Sequence, residues 1–411
     1  MNIDIIKNNL DEILKYKTPV YVYLYDVLKD RCAKMKSFKD TLEKEIDKKV
    51  SIHYSTKANN NPQIIKIVKE SGLKVDAMSP LELDIDLKCG FKNDEIIYVC
   101  NNIDKEEMKL IREKNILPCF DSISQVKIWG SLFKNTDIMV RINPGIKGVG
   151  HNKKVITSGK KTKFGISEEN IKELKEVVEK YQLNIVGTHL HLGSLFLNDS
   201  IDKYIKGVKE YLKIVKNNFE NIKIIDLGGG FGVPYQDEEP LDFNILIEKL
   251  KKILMKFNKG YESVEEYKFE PGRFIPCESG LIVGKVNSIK SVMGKNYIGT
   301  DIGMNILVRP SMYDAYHKVS IINKKEGKEK IIANITGNIC ESGDVLARDR
   351  TIQKPEIDDI VIVENSGAYG FSMSSNYTGR PRPAEIMIKN GKIEEIRVRE
   401  SLEYLEKNLL F

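Results

Sequence analysis

The chain has 411 residues, 41% of them hydrophobic and 30% charged, which is typical of a globular protein with one large or two ordinary domains. Its net charge of +6 is the small difference between 65 basic and 59 acidic residues spread along the whole length, so we expect no nucleic-acid partner. Apolar runs never approach the roughly 18 residues that a membrane-spanning helix needs, so we expect no membrane partner either.

Short runs rich in β-branched residues alternate with amphipathic stretches through the first two-thirds of the chain. After an N-terminal strand at Pro19–Tyr25, we predict strands at Val50–Ser55, Lys74–Met78, Ile96–Val99, Leu117–Asp121, Asp137–Ile142, Ile185–Leu190, Ile222–Leu227 and Glu266–Phe269. Apolar residues recur at three- and four-residue steps between them, which predicts helices at Pro62–Ser71, Pro80–Cys89, Asp104–Lys114, Ser122–Phe133, Ser167–Lys180, Ile201–Asn218 and Asn244–Phe257.

Strand–helix alternation indicates an α/β fold of parallel strands joined by helical crossovers. An open doubly wound sheet and a closed (β/α)₈ barrel both meet this condition. The count of eight favours the barrel, and so does the distribution of chemically interesting residues over many strand ends.

The pattern changes after Gly280, where strand-like runs follow one another without long helices. The runs are Leu281–Val286, Tyr297–Thr300, Ile331–Ile335, Asp359–Val363, Ala384–Lys389 and Lys392–Arg399. Turn residues such as Asn390-Gly391 separate them, which predicts a C-terminal antiparallel β domain that the N-terminal segment joins.

The cysteines and the N-terminal residues predict a cytoplasmic protein. Six cysteines are scattered without a C-x-x-C pair or metal-finger spacing, as expected of reduced thiols. Charged residues interrupt the apolar ones in Met1–Lys17, unlike in a signal peptide.

The glycines at Gly228, Gly229 and Gly230 are the strongest sign of a phosphate site. Without Cβ atoms, their backbone N–H groups can approach phosphate oxygens, and barrels often bind phosphate after the seventh and eighth strands. A plain tight turn is one alternative. The segment Asp226–Gly232 also resembles a methyltransferase motif, but that motif belongs on the first strand of its sheet.

Lys57 and Glu270 follow the first and eighth barrel strands. A lysine at a buried strand end can act as a nucleophile toward an aldehyde, and pyridoxal phosphate needs such a lysine together with an acid or arginine at its ring nitrogen. His191 can stack on the ring and Ser194 can donate to phosphate. His189 and His191 share a strand face, but we identify no third ligand at suitable spacing and expect no metal.

Taken together, these motifs resemble those of the alanine-racemase-like (fold type III) pyridoxal-phosphate enzymes, within their decarboxylase branch. The likeness covers most of the chain and lies in Tyr54-Ser-Thr-Lys-Ala-Asn59, His191-Leu-Gly-Ser194, Gly228-Gly-Gly230, Glu270-Pro-Gly-Arg273, Arg309-Pro-Ser-Met-Tyr313, Cys340-Glu-Ser-Gly-Asp344, Gly367-Ala-Tyr369 and Tyr377-Thr-Gly-Arg-Pro-Arg-Pro383.

The resemblance implies a cofactor-binding barrel over residues 29–272 and a β domain of residues 1–28 and 273–411 that completes the site across a homodimer. Lys57 then binds pyridoxal phosphate covalently and Glu270 meets its ring nitrogen. The other implied cofactor contacts are Asp76, Arg141, His191, Ser194, Gly228, Gly229, Gly230, Pro271, Gly272, Arg273 and Tyr369. The implied substrate contacts are Arg273, Arg309, Tyr313, Glu341 and Tyr369, and Cys340, delivered by the partner subunit, is the implied proton donor.

The pair of Arg309 and Glu341 favours diaminopimelate as the substrate, because its second head group offers both a carboxylate and an ammonium. Leu195, Asn338 and Thr378 replace residues usual in the family, and the glycine- and lysine-rich loop Gly145–Lys163 is not of the commonest type. A decarboxylase of D-ornithine or D-lysine therefore stays open.

Two other relatives within the same fold are alternatives. An amino acid racemase prefers arginine at the ring nitrogen, where this chain has Glu270, and a non-catalytic homologue often loses residues equivalent to Lys57 or Cys340, which are both present.

Overall fold

The computed structural model describes residues 2–146, 158–159, 162–322 and 329–410. Its helices are α1 Asn2–Asn8, α2 Leu10–Leu14, α3 Tyr25–Ile46, α4 Pro62–Glu70, α5 Pro80–Lys88, α6 Lys105–Glu113, α7 Ile123–Leu132, α8 Ile171–Tyr181, α9 Ile201–Asn218, α10 Phe243–Asn258, α11 Arg309–Tyr313 and α12 Leu402–Glu406. None of them is both long enough and apolar enough to cross a membrane.

The strands divide between two sheets. They are β1 Val20–Leu24, β2 Lys49–Ser55, β3 Lys74–Ala77, β4 Ile96–Cys100, β5 Leu117–Phe120, β6 Asp137–Asn143, β7 Ile166–Ser167, β8 Asn184–His189, β9 Ile224–Asp226, β10 Glu266–Phe269, β11 Gly280–Val292, β12 Lys295–Thr300, β13 Val319–Ile322, β14 Lys330–Thr336, β15 Val345–Gln353, β16 Ile360–Val363, β17 Glu385–Lys389 and β18 Lys392–Arg397.

Eight parallel strands close into a barrel, in the order β2-β3-β4-β5-β6-β8-β9-β10. Parallel pairing of β10 with β2 completes the ring, and the short strand β7 pairs with β6 outside it. The predicted (β/α)₈ barrel is thus confirmed. All carboxyl ends of its strands lie at one end of the barrel, which we call the barrel mouth, and catalytic residues of this fold come from those ends.

Side-chain caps start several helices within a few residues of the preceding strand or its turn. The Ser79 hydroxyl accepts from the Glu82 N–H and the Asp104 carboxylate accepts from the Glu107 N–H, which satisfies N–H groups that a helix start leaves open. Pro62 and Pro80 occupy the first turns of α4 and α5, where a missing N–H costs nothing. Helices α4, α5 and α6 therefore begin at Pro62, Pro80 and Lys105, soon after β2, β3 and β4 end at Ser55, Ala77 and Cys100.

The second sheet has the strand order β15-β14-β12-β11-β1-β17-β18, with β16 pairing with β11 and β13. Most pairs are antiparallel, as predicted, but β1 with β17 and β12 with β14 run parallel. Apolar residues at alternate positions of its strands, such as Val20, Val22 and Leu24, pack together in one core. The N-terminal segment therefore belongs to this sheet.

The chain divides into two compact units. One comprises residues 1–30, 235–237 and 275–411, and the other comprises residues 31–234 and 238–274. We call them the β unit and the barrel unit.

The glycine- and lysine-rich loop Gly145–Lys163 lies largely outside the described residues. Where it is described, Asn143 at the end of β6 holds it: the Asn143 amide donates to the carbonyls of Gly159 and Phe164, and its side-chain oxygen accepts from the Gly145 N–H.

Candidate active site

The turn that carries Lys57 is fixed by buried hydrogen bonds. Strand β2 ends at Ser55, and the chain makes one 3₁₀ turn over residues 56–58. The Thr56 hydroxyl lies 3.1 Å from both carboxylate oxygens of Asp86, and the Tyr54 hydroxyl donates to the Asn59 carbonyl at 2.9 Å. Lys57 is thereby placed at the barrel mouth.

The Lys57 amine lies beside a buried carboxyl and stays reachable. Its Nζ atom is 3.7 Å from Asp76 Oδ2 and 3.0 Å from Met78 Sδ, and its side chain is 32% exposed. Asp76 itself is fully buried, and burial followed by the nearby Glu270 raises the pKa of its carboxyl well above the usual range. The structure thus brings together Lys57 and Asp76, two of the predicted cofactor contacts.

Glu270, at the end of β10, forms a buried pair with His189 from β8. His189 Nε2 and Glu270 Oε2 are 3.0 Å apart, and both side chains are almost completely buried. Burial alone would raise the pKa of Glu270, but His189 and Lys57 outweigh it and hold that pKa well below its usual range. Glu270 is therefore an anion, and its Oε1 atom is buried without a hydrogen-bond partner among the described residues.

Asp226, at the end of β9, is a third polar residue in this cluster. His189, Asp226 and Glu270 each offer an atom within 4.8 Å of the others. From the sequence, we considered His189 together with His191 as metal ligands, whereas the cluster in the structure joins His189 to Asp226 and Glu270. We still assign no metal, because His189 Nε2 and Glu270 Oε2 already bind each other.

The three glycines after β9 pass very close to neighbouring backbone. A Cβ atom would lie 2.1 Å from the Leu190 carbonyl oxygen at Gly228, 2.0 Å from the Glu270 carbonyl oxygen at Gly229 and 2.5 Å from the Gly193 carbonyl oxygen at Gly230. Gly228 also has a φ of +66°, which side-chain-bearing residues rarely adopt. Only glycine fits this loop.

Two further pairs flank the glycine loop. The Arg273 guanidinium lies 3.3 Å from the Ser194 hydroxyl, so a cation and a hydroxyl donor stand together. His191 accepts from the Gly193 N–H at 3.3 Å. Burial lowers the pKa of His191 most, and the nearby cations Arg141 and Lys57 lower it further. That pKa is therefore well below its usual range, and the ring is neutral at neutral pH.

Arg141 from β6 is buried in the barrel unit, with its guanidinium 4.6 Å from the centre of the Phe164 ring. Asp121, at the barrel mouth, accepts from the Asn101 amide. Burial raises the pKa of the Asp121 carboxyl, and the charge of Arg141 partly offsets that rise. Arg141 is thus one of the cations around the cluster of Asp76, His191 and Glu270.

Except for Arg273, which belongs to the barrel unit, the predicted substrate residues lie in the β unit. The buried Arg309 guanidinium is 2.7 Å from His317 Nε2 and lies over the Tyr235 ring at 5.1 Å. Tyr313 is the last residue of α11, and Tyr369 follows β16 with a φ of +57°.

Cys340 and Glu341 lie on a tight loop of the β unit. Asp344 holds this loop, because its carboxylate accepts from the Ile339 N–H at 2.7 Å and the Met304 N–H at 2.6 Å. Cys340 is exposed, whereas the other five cysteines are buried or half-buried. Glu341 accepts from the Tyr377 hydroxyl.

Four contributing residues were missing from the predicted site. Asp86 supports the Lys57 turn, His189 pairs with Glu270, Asp226 adjoins that pair, and Tyr377 binds Glu341. Strand alternation could have found Asp226 and His189, because they end the two barrel strands that precede β10 and a barrel interior takes every second residue.

The barrel unit fits pyridoxal phosphate. The glycine loop leaves space at backbone level that a Cβ would fill, and Ser194 and Arg273 add donors for a phosphate. The anionic Glu270 keeps one buried oxygen unbonded, as a partner for a protonated ring nitrogen requires. Lys57 supplies the amine.

Known proteins match this chain along most of its length. A family model described as "Pyridoxal-dependent decarboxylase, pyridoxal binding domain" matches residues 29–277. A diaminopimelate decarboxylase of Aquifex aeolicus is 35% identical over 404 residues, covering 95% of this chain and 91% of the relative. One of Methanothermobacter thermautotrophicus is 35% identical over 362 residues, covering 85% and 82%.

A solved structure shows the same architecture. The crystal structure of diaminopimelate decarboxylase from Helicobacter pylori complexed with L-lysine superposes with a TM-score of 0.86 at 29% identity, covering 97% of this chain and 98% of that one. The likeness therefore extends over both units.

Proposed function

The chain belongs to the pyridoxal-dependent decarboxylases, and from this premise we propose that it decarboxylates meso-2,6-diaminopimelate to L-lysine and carbon dioxide, the last step of lysine biosynthesis. It is a carboxy-lyase that uses pyridoxal phosphate. The observation that carries the proposal is the arrangement of Lys57, Glu270 and the glycine loop at one barrel mouth, in a chain that is 35% identical to a diaminopimelate decarboxylase over nearly its full length.

In this proposal, residues 29–272 bind the cofactor. Lys57 holds it covalently, Glu270 meets its ring nitrogen and the neutral His191 stacks on its ring. Asp76 and Arg141 set the charge around the lysine and the ring. The phosphate contacts are Ser194, Gly228, Gly229 and Gly230, together with Arg273 and Tyr369 from outside residues 29–272. Pro271 and Gly272 are further contacts of the cofactor.

When bound, pyridoxal phosphate supplies an aldehyde for an amine and a protonated ring that withdraws the electron pair left behind by carbon dioxide. Glu270 supports that withdrawal, because its negative charge favours a proton on the ring nitrogen. Lys57 provides the amine that the substrate's amine replaces. The buried walls around Glu270 and His189 exclude water, which strengthens these charge interactions.

Glu270→Gln tests the role of the ring partner. The neutral amide no longer favours a protonated ring nitrogen, so we expect retained cofactor but a decarboxylation rate lower by about 100-fold. The matched control is Glu266→Gln on the same strand, where Lys49 and Lys268 surround the carboxylate. Wild-type turnover in Glu270→Gln would make Glu270 a structural residue.

In this proposal the β unit supplies the substrate contacts other than Arg273, which belongs to the barrel unit. Arg309 binds the distal carboxylate and Glu341 binds the distal ammonium. Arg273, Tyr313 and Tyr369 also contact the substrate. Cys340 donates the proton that replaces carbon dioxide. We propose that Cys340 comes from the second chain of a homodimer with shared sites, completed by residues 1–28 and 273–411, and that the enzyme works in the cytoplasm.

Glu341→Ala tests the distal contact. Loss of a charge-assisted hydrogen bond should raise KM for diaminopimelate by roughly 10-fold or more, while the visible spectrum of the cofactor stays the same. Tyr377→Phe removes the hydroxyl that donates to Glu341 and should give a smaller change of the same kind. Steady-state kinetics with an unchanged KM for Glu341→Ala would place the ammonium site elsewhere.

The substrate itself is tested by measuring carbon dioxide release from purified holoenzyme with meso-diaminopimelate, D-ornithine and D-lysine. We expect release, with equal amounts of L-lysine, from diaminopimelate alone. Faster turnover of D-ornithine or D-lysine would assign the chain to that alternative, and release from none of them would contradict a decarboxylase.

A further inference from the structure

Asp226 lies deep in the barrel unit, between the glycine loop and the His189–Glu270 pair. Its Oδ1 atom accepts from the Gly228 N–H at 2.8 Å, where the chain turns with a φ of +66°. A carboxylate oxygen lies within 4.8 Å of both His189 and Glu270. Asp226 thus contacts Gly228, which we assign to the phosphate, and lies near Glu270, which we assign to the ring nitrogen.

The surroundings of Asp226 decide its protonation state. Two buried carboxylates this close cannot both ionise without a large cost, so one of them keeps a proton. Burial, and then the charge of Glu270, raises the pKa of Asp226 well above the usual range, whereas His189 and Lys57 lower the pKa of Glu270 despite its burial. The proton therefore resides on Asp226.

Other groups that face Asp226 do not reverse this result. Lys268 from β10 favours the ionised form, but the Asp76 carboxyl from β3 opposes it. His189 from β8 also lies within 4.8 Å of Asp226, but its Nε2 atom is paired with Glu270 Oε2 at 3.0 Å. Among the described residues, Cys119, Tyr204 and Tyr211 are further titratable neighbours, and they are neutral at neutral pH because burial raises the pKa of each.

We propose that Asp226, in its neutral form, is a positioning residue of the cofactor site. Its carboxyl group fixes the first turn of the glycine loop. Because Asp226 carries the proton, Glu270 stays ionised at the ring nitrogen. This inference rests on the proposed function, because it assigns Asp226 to the pyridoxal phosphate site.

If Asp226 acts in its neutral form, we expect two variants to differ in their affinity for the cofactor. Asp226→Asn keeps an acceptor for the Gly228 N–H and has no charge, so cofactor affinity should stay within about twofold of wild type. Asp226→Ala leaves that buried N–H without an acceptor, so the cofactor should bind roughly 10-fold more weakly. The phosphorus NMR signal of the bound cofactor should shift in Asp226→Ala but not in Asp226→Asn.

The experiment dilutes purified holoenzyme in steps and follows cofactor occupancy by visible absorbance across the neutral pH range. Asp359→Ala is the matched control: Asp359 is a buried carboxylate of the β unit that accepts from the Glu356 N–H, so its loss should lower the thermal unfolding temperature and leave cofactor affinity unchanged.

The inference would be overturned if Asp226→Asn bound the cofactor as weakly as Asp226→Ala does. It would also be overturned if Asp226→Asn changed the pH profile of cofactor affinity. Either result would mean that the ionised form of Asp226 is required. Wild-type affinity in Asp226→Ala would overturn it as well. If Asp226→Ala fails to fold, the affinity and pH profile of Asp226→Asn still decide. A wild-type protein without a cofactor band would instead overturn the proposed function.

Discussion

Lys57→Ala is expected to abolish the visible absorbance of bound pyridoxal phosphate and to lower turnover by roughly 1000-fold or more, the scale for loss of a covalent nucleophile. The reason is its position. The turn over residues 56–58 is held by Asp86, and the Lys57 amine lies 3.7 Å from Asp76 in the same barrel mouth as the glycine loop.

The measurement compares absorbance spectra and carbon dioxide release of wild type and variant at equal concentrations of folded protein. Lys74→Ala is the control, because Lys74 begins β3 at the opposite end of the barrel strands. It should retain both spectrum and turnover. An unchanged cofactor band in Lys57→Ala would refute the assignment of Lys57.

Cys340→Ala is expected to fold, to bind pyridoxal phosphate and to form L-lysine about 100- to 10,000-fold more slowly, the range for loss of a general acid. A buried structural cysteine would be the ordinary interpretation of a thiol. Against it, Cys340 is exposed on a loop that the Asp344 carboxylate fixes through two backbone N–H groups. Cys100→Ala is the control, because Cys100 is a buried cysteine of β4, and the activity of this variant should change little.

Mixing the Lys57→Ala and Cys340→Ala chains tests whether each site is shared between subunits. If Cys340 comes from the partner, a heterodimer has one site with both residues intact, and activity should return to about half of the wild-type value per dimer. Heterodimers that form but stay inactive would place Lys57 and Cys340 of one chain in the same site.

The barrel could be predicted because its strands are short, apolar and separated by periodic helices. Strand β10 has the predicted bounds and β2 differs by one residue at its start. Helix α3 was not predicted, although Leu28, Cys32, Met35 and Phe38 recur at three- and four-residue steps and are all buried. The signal was present in a stretch whose other residues are strongly charged.

Parts of the second sheet could not be predicted, for a different reason. Strand β15 carries Arg348, Asp349 and Arg350 in the middle, so it shows no apolar alternation. Its place depends on pairing with β14, and the parallel pairing of β1 with β17 joins residues more than 360 positions apart. Such register comes from tertiary contacts, which local sequence does not encode.

The candidate site likewise has residues that local sequence predicts and residues whose roles depend on tertiary contacts. Lys57, Glu270 and the glycines were predictable, because each has a residue type that its chemistry requires at a strand end. The roles of His189 and Asp226 depend on which strands become neighbours around the barrel, where β9 lies between β8 and β10.

Borohydride reduction of the holoenzyme followed by peptide mass spectrometry tests the central claim most directly. Reduction makes the bond between cofactor and protein permanent, so the modified residue can be identified. We expect a single pyridoxyl group per chain, on Lys57. A pyridoxyl group on a different lysine, or no modification of a protein saturated with pyridoxal phosphate, would contradict the account.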